Sequence, residues 1–245
     1  DSGCRGIVVG DMDNNGYPDI LKWRFMSEAQ PDHDCSEYDY ETICTDDTNC
    51  YWEENNCWNG AESEMMPHNI LMNDGNNTFI THNFLPPSEL PFLHSLGLID
   101  ADLDGDLDLL AIQEEDDDQF MLYLNEGFDD TGAPEFNQVF TFYRTYSDIS
   151  ASRILAIADY DNDGDQDVYV GRKYGYNWFF ENQTLTGTPG DVTYNSNPEP
   201  FFIEKAIQLG IADSEVNEIG SMGYGAAWGD YDNDQDFDLY LANWG

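Results

Sequence analysis

Short apolar runs recur along the chain in pairs, and each pair brackets the same polar stretch. The runs before the stretches are 6–9 (GIVV), 95–99 (SLGLI), 153–157 (RILAI) and 224–228 (YGAAW); those after are 20–23 (ILKW), 109–112 (LLAI), 168–171 (VYVG) and 239–242 (LYLA). Runs this short, rich in aliphatic, β-branched and aromatic residues and bounded by Gly and Asp, read as strands. Each polar stretch therefore predicts the turn of a β-hairpin.

The turns are four copies of one nine-residue loop: 11–19, 100–108, 159–167 and 230–238. Positions 1, 3, 5 and 9 carry Asp11, Asp13, Asn15 and Asp19 in the first, and Asp100, Asp102, Asp104 and Asp108 in the second. The third has Asp159, Asp161, Asp163 and Asp167, and the fourth Asp230, Asp232, Asp234 and Asp238. Position 6 is Gly in three loops and Gln235 in the fourth, where the turn is expected to be strained or to bind more weakly. Alternate carboxylates on a tight turn describe a calcium cage, because Ca²⁺ takes six to eight oxygens at roughly 2.3–2.6 Å. The glycine supplies the positive φ such a turn needs. The loop is not an EF-hand, which needs a bidentate Glu at position 12; here that position is Lys22, Ala111, Val170 and Leu241.

The loops begin 89, 59 and 71 residues apart, a spacing that marks a propeller or array. A second strand pair follows each of the first three hairpins: 69–72 with 78–81, 120–123 with 136–142, and 178–180 with 201–203. Four strands make one blade, a sheet that buries its faces only against neighbouring sheets. An insertion over 27–64, with 12 acidic residues, accounts for the long first spacing. The prediction is an all-β chain, 1–245, with blades over about 3–85, 92–145 and 150–205 and the start of a fourth over 220–245.

The motif Asp-x-Asp-x-Asp-Gly-x-x-Asp followed by an apolar strand resembles the FG-GAP/VCBS repeat of integrin α-subunit propellers and many secreted proteins. Residues 69–79 (NILMNDGNNTF) and, more loosely, 122–127 (LYLNEG) are similar to that family's second hairpin. The last copy, 221–243, resembles the cartilage-acidic-protein (ASPIC/UnbV) branch. The resemblance implies a calcium-binding β-propeller with about four Ca²⁺, each held also by the backbone carbonyl at position 7: Tyr17, Asp106, Asp165 and Asp236. In that family the ion rigidifies blades rather than doing chemistry.

Composition narrows the partners. The formal charge of −42, about −34 with four Ca²⁺ bound, repels nucleic acid and anionic membrane. No stretch reaches the roughly 18–20 apolar residues of a membrane span, and no signal peptide is present, which suggests a mature or trimmed chain. Cys35, Cys44, Cys50 and Cys57 lie in the insertion without the paired C-x₂₋₄-C spacing of zinc knuckles, so two disulfides are expected, with three pairings open. Cys4 is left free or intermolecular. Asn76 and Asn182 head glycosylation sequons. His33, His68, His82 and His94 form no ligand set, and His68 and His94 read as exposed turn or strand-edge residues. No Gly-x-Ser-x-Gly elbow appears, so no enzyme is expected.

These features point to a secreted or cell-surface, non-enzymatic propeller for adhesion or matrix recognition, its partner an extracellular protein or glycan or further copies of itself. The alternatives are a structural subunit of an extracellular filament or surface layer, and a carbohydrate-binding propeller. Tyr38, Tyr40, Tyr51, Trp52 and Trp58 interleave with carboxylates in the insertion, which is expected to be a solvated, stapled loop or a partner-binding knob.

Overall fold

A computed structural model describes residues 4–24, 50–53, 56–59, 68–76, 78–83, 93–114, 118–144, 152–172, 175–212 and 222–244. Cys35 and Cys44 lie outside these residues, as do the side chains of Cys4, Cys50 and Cys57, and with them the expected disulfides. Strands β1 (Cys4–Gly10) and β2 (Asp19–Arg24) form the first hairpin. A separate hairpin of β3 (Cys50–Glu53) and β4 (Asn56–Asn59) follows, and then β5 (Asn69–Asn73) and β6 (Phe79–Asn83) complete a sheet ordered β1-β2-β5-β6. The second sheet is an unbroken meander of β7 (Leu93–Ile99), β8 (Asp108–Glu114), β9 (Asp118–Phe128) and β10 (Pro134–Arg144).

In the third sheet β11 (Ser152–Ala158), β12 (Asp167–Arg172) and β13 (Trp178–Asn182) pair in order. A small hairpin of β14 (Leu185–Thr188) and β15 (Asp191–Tyr194) precedes the fourth strand, β16 (Phe202–Glu204), and a single helical turn, α1 (Ala206–Leu209). The last hairpin pairs β17 (Met222–Gly229) with β18 (Asp238–Trp244). All four leading hairpins shift register at equivalent places, between Cys4 and Gly6, Leu93 and Ser95, Ser152 and Ile154, and Gly223 and Gly225. A bulge strengthens local twist, so its fourfold recurrence gives the four sheets a common curvature.

Side-chain alternation explains why the sheets stack. On β8 and β9, Leu109, Ala111, Met121 and Tyr123 join Leu21, Trp23, Ile70 and Met72 of the first sheet in one core. The intervening residues Leu110, Ile112, Phe120 and Leu122 face the other way, onto Val168, Val170, Trp178 and Phe180 of the third sheet. Phe120 stacks on Phe180 with centroids 4.3 Å apart and planes within 10°. Tyr169 and Phe179, on the third sheet's far side, meet Ala226, Trp228, Leu239 and Leu241 of the last hairpin. A strand with period two buried on both faces is near-continuously apolar, as β12 is. The leading strands β1, β7, β11 and β17 lie side by side in that order. The outer sheet faces stay open: Ile7 is 62% exposed and Tyr240 72%.

The stack is pinned by hydrogen bonds between sheets. Trp23 Nε1 donates to the His94 carbonyl at 3.1 Å, and Trp228 Nε1 to the Ala156 carbonyl at 3.1 Å. His68, which stands just before β5, is fully buried, against the expectation of exposure. Among the described residues no helix is long and apolar enough to cross a membrane.

Candidate metal centres

Each of the four loops joins the first two strands of its sheet, and its backbone follows one path. Position 4 is left-handed throughout: Asn14 (φ 54°), Leu103 (61°), Asn162 (58°) and Asn233 (64°). Position 6 is left-handed too, in Gly16, Gly105 and Gly164 and, without glycine's freedom, in Gln235 (φ 81°). These turns point loop N–H groups inward at the first carboxylate. Asn15 and Gly16 donate to Asp11, Gly105 to Asp100, Asp163 and Gly164 to Asp159, and Asp234 and Gln235 to Asp230.

Carboxylate oxygens gather within 4.8 Å of one another in every loop: Asp11, Asp13 and Asp19; Asp100, Asp102 and Asp108; Asp159, Asp161 and Asp167; Asp230, Asp232 and Asp234. Positions 1, 3 and 9 thus converge in three loops, and positions 1, 3 and 5 in the fourth, where Asp238 stands apart. Position 5 of the first three lies outside the group. Its oxygen accepts from the backbone two residues on, as Asn15 does from Tyr17 (2.8 Å), Asp104 from Asp106 (2.9 Å) and Asp163 from Asp165 (3.1 Å). That Asx turn shapes the loop.

Position 9 ties the sheet together. Asp19 accepts from Met12 N (2.8 Å) and Asn73 N (2.7 Å), Asp108 from Ala101 N (2.7 Å) and Asn125 N (2.9 Å), and Asp167 from Tyr160 N (3.0 Å) and Asn182 N (2.9 Å). Each of these carboxylates clamps its loop to the end of the sheet's third strand. The asparagines there, Asn73, Asn125 and Asn182, escape the sequence reading as partners of the loops; the detectable signal is an Asn closing the third apolar run of each of the first three blades. Asn182 is fully buried and its Nδ2 donates to the Ala101 carbonyl at 3.0 Å, so it is a packing residue and not an open glycan acceptor. Asn76, by contrast, is exposed at the turn before β6.

Crowding shows in the acid–base behaviour. Burial pushes Asp108 up to about 7 and Asp167 to about 8, against the hydrogen bonds that hold them ionised. Asp19, Asp100, Asp102, Asp161 and Asp163 are raised for the same first reason, burial, with neighbouring carboxylates adding to it. In the exposed fourth loop Asp232 is raised chiefly by the charge of Asp234. Anions packed this way need a proton or a cation. The donors are all hard oxygens, and the third loop keeps two buried oxygens, Asp161 Oδ1 and Asp165 Oδ1, without hydrogen-bond partners. That donor set fits Ca²⁺ and excludes softer sulfur- or imidazole-seeking metals.

Residues 100–170 match the family model of the FG-GAP-like repeat, a stretch that opens on Asp100 and takes in the second and third loops in register. That stretch is an FG-GAP-like repeat. The four-stranded antiparallel sheets of the chain are consistent with FG-GAP β-propeller blades. No curated protein matches the chain. FG-GAP repeats often bind calcium and occur in extracellular or surface proteins.

Proposed function

We propose that this chain is a secreted or cell-surface, non-enzymatic recognition module in which about four Ca²⁺ ions rigidify the propeller blades, presenting a fixed surface to an extracellular protein or glycan. The observation that carries the reading is the fourfold convergence of three carboxylates at the same place in each hairpin. In three of the loops a member of the trio is also the clamp holding the loop to the third strand. An ion there neutralises repulsion at the point where two hairpins join, so its effect is on blade rigidity. Positions 1, 3, 5 and 9 with the carbonyls of Tyr17, Asp106, Asp165 and Asp236 are the ligands in this reading, position 5 turning inward as the ion enters.

The non-enzymatic part rests on where the acidic groups are. The carboxylates with the largest upward shifts, Asp108, Asp165 and Asp167, lie in loops already engaged by backbone donors, and a rigid cage leaves little room for substrate. The test is retention on arrays of extracellular-matrix proteins and glycans, in millimolar Ca²⁺ and in chelator, with sedimentation alongside. Calcium-dependent retention on a protein by a monomer is expected. Retention on glycans alone replaces the reading with a carbohydrate-binding propeller, and calcium-dependent growth into long polymers replaces it with a filament subunit.

A further inference from the structure

The first three sheets share a joint that the last hairpin lacks. In each, a third strand runs antiparallel beside the second, and its Asn donates a backbone N–H to Oδ1 of the Asp at loop position 9. Asn73 donates to Asp19 at 2.7 Å, and Asn125 to Asp108 and Asn182 to Asp167 at 2.9 Å. The other oxygen, Oδ2, accepts from loop position 2. In the last hairpin Asp238 Oδ2 accepts from Tyr231 N in the same way, at 2.8 Å, but among the described residues nothing donates to Oδ1. Asp238 is also the one position-9 carboxylate outside its loop's converging trio. Beside it β18 is the free edge of a two-stranded sheet among the described residues.

The completed sheets define what fits that edge. In the third, Phe180 and Trp178 stand opposite Val168 and Val170, the residues one and three places after position 9. In the second, Tyr123 and Met121 stand opposite Leu109 and Ala111 in the same register. Under those third strands Val168, Val170, Leu109 and Ala111 are fully buried. Their counterparts on β18, Leu239 and Leu241, are only half-buried. The Asn follows the second apolar residue by two places, as Asn125 follows Tyr123 and Asn182 follows Phe180. Its own Oδ1 accepts from the N–H two residues on, Gly127 at 3.1 Å and Thr184 at 3.0 Å, which turns the chain away once the edge is covered.

We propose that the free edge of β18 is a docking site for an extended segment of another protein, bound antiparallel, with two large apolar residues two places apart and an Asn two places after the second. An open edge is a template for a further strand, and edges that take peptides draw affinity from main-chain hydrogen bonds and specificity from pockets for alternate side chains. Here Leu239 and Leu241 receive the two apolar side chains, and Asp238 Oδ1 receives the N–H of the Asn and sets the register. With a chain charge of −42, the fitting segment carries no net negative charge of its own. The proposal deepens the recognition reading by naming a surface and a strand, and it rests on that reading only for the partner being a protein.

The probe is a fluorescent peptide copying the third blade's own strand, residues 175–184 (GYNWFFENQT) with two lysines appended, titrated with the chain in millimolar Ca²⁺ and followed by anisotropy. One peptide per chain is expected to bind, with hydrogen exchange slowed over 238–244. A peptide N-methylated at the Asn, which lacks the N–H, and the Asp238→Ala chain are each expected to bind at least about tenfold more weakly, the worth of a hydrogen bond to a charged acceptor. No binding, or binding equal to that of a scrambled peptide, would overturn the proposal. So would an affinity indifferent to N-methylation, a readout that leaves the chain itself unaltered. Residues 238–244 exchanging as slowly without the peptide as with it would show the edge already covered. Sedimentation of the free chain as a dimer that Asp238→Ala dissolves would give the edge to a second copy, and either result overturns the proposal. Retention of Asp238→Ala on a matrix-protein array at wild-type strength would count against this edge while leaving the recognition reading standing.

Discussion

Replacing Asn182 by alanine tests whether the blades are pinned by buried amide bonds between neighbours. Asn182 is fully buried where the third blade meets the second loop. Its Oδ1 accepts from Thr184 N at 3.0 Å, and its Nδ2 donates to the Ala101 carbonyl at 3.0 Å. Alanine leaves the backbone bond from residue 182 to Asp167 in place, because a main-chain N–H makes it. The Ala101 carbonyl keeps a second donor, Thr184 Oγ1 at 2.7 Å. The Thr184 N–H loses its acceptor, and leaving a buried donor unpaired costs about 1–3 kcal/mol. Loss of the amide's own bond adds about 1 kcal/mol. The sum is about 3 kcal/mol, or a fall of roughly 6–12 °C in melting temperature for a chain of this size. Thermal and urea unfolding in saturating Ca²⁺ measure it, with the exposed Asn76→Ala as a control expected within about 0.5 kcal/mol of the wild type. A loss below about 0.5 kcal/mol for Asn182→Ala would refute the reasoning, and a glycan found on Asn182 by intact mass would refute the burial behind it.

Three further outcomes follow from the same geometry. Gln235→Gly relieves a side chain held at φ 81° and is expected to raise stability by about 1 kcal/mol, read by urea unfolding; Gly105→Ala, at φ 98°, is expected to lower it by a similar amount. Phe120→Ala removes the ring stacked on Phe180 in the core between the second and third blades and is expected to cost about 3–5 kcal/mol by chemical denaturation. In chelator, melting temperature is expected to rise as pH falls from about 9 to about 6. Asp108 and Asp167 have folded values raised from 3.8 to about 7 and about 8, so their stabilising contribution is complete below 3.8 and is lost as pH climbs through 7–8. Saturating Ca²⁺ is expected to remove that trend, since the ion holds both groups ionised.

The loops were readable because both of their requirements are local. Alternate carboxylates and a glycine at position 6 specify a turn that needs nothing from the rest of the chain. Strand pairs were readable for the same reason, since Leu109 to Ile112 alternate faces whatever they pack against. Other features depend on contacts that sequence distance hides. The partner of Asp19 is the N–H of Asn73, 54 residues on, and nothing local announces the pairing. At position 5 the oxygen accepts from the backbone N–H two residues on in all four loops, and in the fourth Asp234 also joins the converging carboxylates, so the Asx turn and the inward position share one residue. Asn182 matched a sequon by composition, whereas its burial depends on a neighbouring blade. The hairpin β14–β15 went unread although Pro189-Gly190 offers a turn signal, because its strands are short, polar and exposed.

The central claim is that the four loops hold calcium and that the ion holds the blades. Its most direct test counts bound Ca²⁺ by native mass spectrometry and follows thermal unfolding in millimolar Ca²⁺ and in excess chelator. With free Ca²⁺ at about ten times Kd each site adds roughly 1.4 kcal/mol, so four sites add about 5–6 kcal/mol. The account predicts about four ions and a fall of roughly 10–20 °C on chelation. A chain that binds no calcium, or whose melting temperature ignores the chelator, would contradict it.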